Sequence, residues 1–376
     1  MDKYMLSSRQ IMFLIAVFLF GSSVVIGVNI NSTVAQDSWI SLFLSLFFII
    51  PYMLMFARIV KLFPQKNLYQ IIDILFNKKI AKIIIVSFII FAFYLGGIVL
   101  CNFDQYVDVT TLPETPLLPI SVCFIVIVTY LARSGLKTIG RWGMIILVAL
   151  TVVVSFTLFF SVPHLDIKYI FPIMEHPVGE ITYTAYSIFM LPFAELIVLL
   201  GLADQFNITK KERRTFVIGV IIDWFLILSV LIRNILILGA PLLKNTFFSS
   251  YEAVRIIEVG TFLTRMEGVV TMNFILGGIT KLAIFVISLS KGIGHLSKNN
   301  DYRKLVFPVG LVILGTSPLL FKNVVDMFDF APIFGLYAIP FQIILPILIW
   351  LTAEYKNKKG LLNIKKINDI ESLQVT

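Results

Sequence analysis

Long apolar runs separated by short polar turns dominate this chain. An α-helix needs about 20 apolar residues to cross a hydrocarbon core of ~30 Å, and runs of that kind predict ten spans: 11–30, 39–60, 83–103, 118–131 with its flanks, 142–162, 181–204, 216–239, 267–290, 305–321 and 332–353. The first run is too long for the apolar core of a signal peptide and reads as a span. Between spans two and three, Leu68, Ile71, Ile72 and Leu75 recur at helical spacing, which predicts a short amphipathic helix at the cytoplasmic interface. The proline-rich stretches 110–119 and 163–180 read as loops, and YEAVRIIEVGTFLTR (251–265) reads as a helix lying across the outer face. Residues 1–355 thus form one integral membrane domain, followed by a short basic cytoplasmic tail at 356–376.

Charge gives an independent check on this topology. With the N-terminus inside, the cytoplasmic segments hold 24 Lys and Arg, the outer segments hold 5, and Arg233 and Lys281 lie within spans, which accounts for all 31. That alternation follows the positive-inside rule, and it would be scrambled by one span too many or too few. Placed so, the net charge of +9 needs no nucleic-acid partner. The two cysteines, Cys101 and Cys123, both lie in apolar runs and offer neither a disulfide framework nor a metal site. His164 and His176, twelve residues apart in the loop 163–180, read as solvated loop residues and not as a metal pair. No cofactor motif or phosphate loop is present, and no nucleophile, base and orienter cluster suggests an enzyme.

Two spans carry interruptions. In ITYTAYSIFMLPFAELIVLLGLAD (181–204), Pro192 removes a backbone donor and Glu195 places a carboxylate in hydrocarbon, at a cost of about 2.5–3.5 kcal/mol unless it faces protein, water or a ligand. Together they predict a broken helix that lines a site. The first span contains GSSVVIG, where Gly21, Ser22, Ser23 and Gly27 either unwind the helix or admit a neighbour at close range. At ~1.5 Å per residue, Glu195 and Lys281 each lie about 21 Å below the outer ends of their spans, and Asp223 lies about 12 Å above the inner end of span seven. Three charges from three helices therefore share a layer and can pair, while Lys281 and Arg233 also stand near enough to span ends to snorkel.

The opening LSSRQ, GSSVVIG, FPQKNLYQIIDILFNKK, the YIFP linker followed by HPVGEI, PFAEL and the turn KKERR occur in an order and spacing that resembles the spore permease family, the B subunits of nutrient germinant receptors, over residues 5–355. The resemblance implies an all-α polytopic fold of the amino acid, polyamine and organocation transporter superfamily. That fold is a leucine-transporter-like 5+5 inverted repeat with spans one and six broken. It further implies a small nutrient germinant (amino acid, sugar or nucleoside) bound where the breaks meet, location in the spore inner membrane, and partnership with an A subunit and a lipoprotein C subunit. The candidate ligand contacts are Gly21, Ser22, Ser23, Gly27, Tyr94, Phe189, Pro192 and Glu195, with Lys281 and Asp223 as a charge pair. Half-helix N–H groups suit a ligand carboxylate, Glu195 suits an ammonium, and Lys281 stands where sodium-coupled relatives place a cation. A proton-coupled amino-acid permease using Glu195 is the alternative function, and a scaffold with a vestigial site is a third.

Overall fold

The expected spans appear in order. The computed structural model describes residues 5–23, 33–207, 211–257, 266–299 and 301–361. Among these, eight helices are long and apolar enough to cross a membrane, and Ala331–Tyr337 with Pro340–Lys358, bent by 44°, are together long and apolar enough to make a ninth, standing where span ten is expected. The shorter apolar helix Ser8–Phe20 stands where the first span is expected. The last helix ends at Lys358.

Burial sorts the spans into an inner and an outer set. Span one is buried on all sides from Leu14 to Phe20 and packs against spans five, seven and eight. Spans four, five and nine form the periphery and turn large apolar residues outward, among them Leu118, Ile145, Phe159 and Leu319. Outward apolar side chains are what lipid requires, so this exposure fits an integral membrane protein. A two-residue parallel bridge, Leu6 to Phe206 and Ser7 to Asn207, ties the start of span one to the end of span six. The two interrupted helices therefore enter and leave the bundle at one place, at the same end.

Several local devices fix the connections. Span seven, Glu212–Asn245, turns sharply at Gly239, where φ is 65° and a side chain would meet the Tyr169 ring. Only glycine takes that conformation without strain, and the expected span end at 239 coincides with it. At the opposite end of the bundle, the buried Asp37 accepts from the backbone N–H of Met174 (2.8 Å) and His176 (3.1 Å) and pairs with His176 Nδ1 at 2.9 Å. His176 is thus held by protein and is not a solvated loop residue, since Asp37 closes the loop 163–180 over span two. The helix expected across the outer face is short, Ser249–Arg255, and residues 258–265 lie outside those described.

The amphipathic helix forms as expected over Leu68–Leu75, started by an Asn67 capping box. Its apolar face meets protein and not lipid: Leu68, Tyr69, Ile71 and Ile72 are fully buried, and Tyr69 donates to the Ser288 carbonyl of span eight at 3.0 Å. Lys356 then donates to the carbonyls of Ile74 (3.0 Å) and Leu75 (2.9 Å), capping the helix from the end of span ten. Periodicity identified the apolar face but not what covers it.

Candidate functional site

Span six breaks where the proline predicts. Val178–Met190 is α-helical, Leu191 is extended (φ −136°, ψ 111°), and the chain resumes as a tight 3₁₀ turn over Phe193–Leu196 before Ile197–Leu200. Glu195 therefore sits in the first turn after the break, its side chain 1 % exposed. Span one stops in register with it. The helix ends at Phe20, Gly21 caps it through its N–H to Val17 O (3.1 Å), and Ser22 follows, buried.

Close approach of span eight joins these two ends. A Cβ added to Gly21 would lie 2.9 Å from the Gly277 carbonyl oxygen and 3.1 Å from Lys281 Cβ, and one added to Gly277 would lie 3.1 Å from Gly21 Cα. The small residues of the first span thus both end the helix and admit a neighbour. One turn beyond Gly277, Lys281 is carried into the gap, where its ammonium donates to Glu195 Oε2 and to Ser22 Oγ. The Phe18 ring lies 5.0 Å from Nζ and adds a cation–π face. Lys281 is 0 % exposed, so it does not snorkel.

Asp223 of span seven shares the layer but not the contact. It is fully buried and within electrostatic reach of Lys281, yet neither carboxylate oxygen accepts a hydrogen bond from a described residue. Lys281 therefore has one paired carboxylate, Glu195, and Asp223 is a second buried carboxylate without a donor among the described residues.

Other expected residues are placed differently. Phe189, in the last turn before the break, packs edge-on against Tyr52 of span two, with ring centroids 5.2 Å apart. Tyr94 is half-buried, and its ring neighbours are Phe330 and Tyr337, near and on the last span, not on either break. Ser23 is described and partly buried, whereas Gly27 lies outside the described residues. Arg233, near enough to the outer end to snorkel, is instead buried. It donates to Thr157 Oγ1 (3.0 Å) and Asn234 Oδ1 (2.8 Å), bracing span seven against span five.

Two site residues escaped sequence reasoning. The single hydroxyl proton of Tyr52 is shared between the Gln342 carbonyl (2.5 Å) and the Ala194 carbonyl (3.1 Å), binding the break in span six to span ten. Gln342 is fully buried within a π-helical turn, Pro340–Ile344, and its amide has no partner among the described residues. Such turns recur at functional positions, and the single polar residue within PFQIILP was the available signal. Tyr52→Phe is expected to remove that shared proton, leaving the Ala194 carbonyl with the Ile197 N–H alone, and to lower stability by roughly 0.5–1.5 kcal/mol, read as a reduced melting temperature of the purified protein. An unchanged melting temperature would remove the hydroxyl from the brace.

A small cavity of about 80 Å³ is lined by Tyr183, Ser187, Met190 and Leu191 of span six and by Phe328 and Phe334, and so borders the break.

Comparison with known proteins agrees with this architecture. A fold match covering 89 % of this chain and 77 % of the other, with a TM-score of 0.66 at 11 % identity, is to Mhp1, a nucleobase-cation-symport-1 family transporter, in a closed conformation with bromovinylhydantoin bound. At that identity the likeness concerns the fold, a transporter fold of the leucine-transporter type. In sequence, the chain is 21 % identical over 364 residues to spore germination protein KB of Bacillus subtilis, covering 96 % of this chain and 97 % of the relative. It is 23 % identical over 361 residues to spore germination protein XB of Bacillus anthracis, covering 92 % and 98 %. The family model described as spore germination protein matches residues 5–325 continuously, through both interrupted spans, and the chain belongs to that spore permease family.

Proposed function

We propose that the protein is the membrane subunit of a spore germinant receptor, which binds a small nutrient (an amino acid, sugar or nucleoside) between the interrupted ends of spans one and six and thereby triggers germination. The observation that carries this reading is the Lys281 bridge from Glu195 to Ser22. One ammonium ties both breaks together, so a ligand that enters there alters the relation of both.

The chemistry of such a switch follows from the groups present. A ligand carboxylate competes with Glu195 for Lys281 and finds N–H groups where span six restarts after Pro192. A ligand ammonium finds Glu195, with Asp223 as a further anion in the same layer. Binding then selects a state in which the bridge is exchanged for ligand contacts, and the shift is only as large as the ligand's preference for that state. Location in the spore inner membrane, with an A subunit and a lipoprotein C subunit reading the change, completes the proposal, and the relatives' association with spore germination supports it.

The test uses purified protein and spores together. Spores carrying this receptor alone, screened for loss of refractility, identify an effective nutrient. That nutrient is expected to raise the melting temperature of the purified protein and to show no accumulation in proteoliposomes. No stabilisation by any germinant, with normal germination in Glu195→Gln and Lys281→Met spores, would favour a scaffold instead. One observation supports a second reading as a proton-coupled permease: Asp223 is a buried carboxylate with no hydrogen-bond donor among the described residues. Proton-driven uptake of labelled ligand, abolished by Asp223→Asn, would decide for it.

A further inference from the structure

We propose that the cytoplasmic half of the groove between spans two and ten binds an anionic phospholipid, its headgroup in a basic crevice formed with the start of span seven. Two adjoining cavities make up the site and share Arg58 and Arg213. The first, about 670 Å³, is walled by Phe48, Leu54, Met55, Ile347 and Trp350 and has Phe189 at one side. The second, about 590 Å³, is lined by Lys61, Lys211, Arg213 and Arg214, with Glu212 the one acid among its lining residues.

Dimension and charge together specify the occupant. From Phe48 to Arg58 the helix rises ~15 Å, half of a ~30 Å hydrocarbon core. The apolar wall is therefore one leaflet deep and ends in cations at the cytoplasmic level. Glu354 pairs with Arg58 and compensates it, and with Glu212 the one acid beside Lys61, Lys211, Arg213 and Arg214 the crevice keeps a net positive charge for an external anion. Each Lys or Arg near an anionic lipid surface adds to the attraction for a negatively charged headgroup. A soluble phosphate would use the crevice but not the groove, and an acidic segment of a partner protein would not need an apolar slot open to lipid. A diacyl phospholipid with a net negative headgroup uses both.

The site also touches the interrupted span. Phe189 forms part of the groove and packs on Tyr52, whose hydroxyl holds the Ala194 carbonyl. Lipid in the groove thus borders the last turn before the break, while binding of the lipid itself does not depend on the nutrient reading.

The experiment compares wild type with Lys61→Gln/Arg213→Gln/Arg214→Gln, a triple variant of exposed residues. Both are purified in detergent and titrated with phosphatidylglycerol, phosphatidylcholine or glycerol 1-phosphate, and bound lipid is read by native mass spectrometry. Wild type is expected to retain phosphatidylglycerol over phosphatidylcholine. The triple variant should bind it on the order of tenfold or more less tightly, and glycerol 1-phosphate should not displace it. A second variant, Leu54→Trp, fills the groove and should reduce retention with the basic residues intact. Equal retention by wild type and triple variant would overturn the proposal, as would displacement by glycerol 1-phosphate, which would mark a free-anion site. Loss of co-purifying receptor subunits from the triple variant without any lipid preference in wild type would show a protein-docking surface instead.

Discussion

Lys281→Met is expected to abolish the nutrient response and to lower stability by about 3–5 kcal/mol, the cost typical of removing one partner from a buried ion pair. Glu195 would remain 1 % exposed with its cation gone, and Ser22 would lose its donor. The double variant Glu195→Gln/Lys281→Met removes both charges, so most of the lost stability should return. The response should not return, because the link between the two interrupted spans is still absent. Melting temperatures and germination of spores matched for protein level separate these effects. If Lys281→Met melted with wild type and responded at the same nutrient concentration, the bridge would be neither structural nor functional.

Gly21→Ala is expected to have the next largest effect. The added methyl would meet the Gly277 carbonyl at 2.9 Å and its carbon at 3.0 Å, and these are backbone atoms that yield only if the helices separate. Overpacking of this kind typically costs 1–3 kcal/mol, and here separation also withdraws Lys281 from Glu195 and Ser22. The variant should melt at a lower temperature and need more nutrient. Gly268→Ala, where a Cβ meets nothing within 4 Å on the same helix as Gly277, is the control and should be neutral or slightly stabilising. Equal behaviour of the two variants would mean that close approach at Gly21 is not required.

Most of the membrane architecture was legible because bilayer thickness imposes a length on apolar runs and charge imposes a direction on loops. The break in span six was legible too, since proline lacks the donor a helix needs, and the chain turns extended at Leu191 beside Pro192. Helical rise placed Glu195, Lys281 and Asp223 at one depth, and the ion pair of the first two lies within that layer. Rotation about each helix axis was not legible. Arg233 stands at a depth from which it can reach the surface, yet its face of the helix meets Thr157 and Asn234. Tyr94 is turned toward Tyr337, while Tyr52, unremarkable beside Pro51, is turned toward the break. The cover of the 68–75 helix was likewise hidden, because an apolar stripe has the same sequence whether it meets lipid or protein.

The central claim is that nutrient is sensed where the end of span one meets the break in span six. The most direct measurement is the nutrient concentration giving half-maximal germination in spores carrying Ser22→Ala, Glu195→Gln or Tyr94→Phe receptors at equal protein level. The first two are expected to raise it by about tenfold or more, the scale of one lost polar contact. Tyr94→Phe should leave it unchanged. Unaltered sensitivity in Ser22→Ala and Glu195→Gln, or a shift confined to Tyr94→Phe, would contradict the claim.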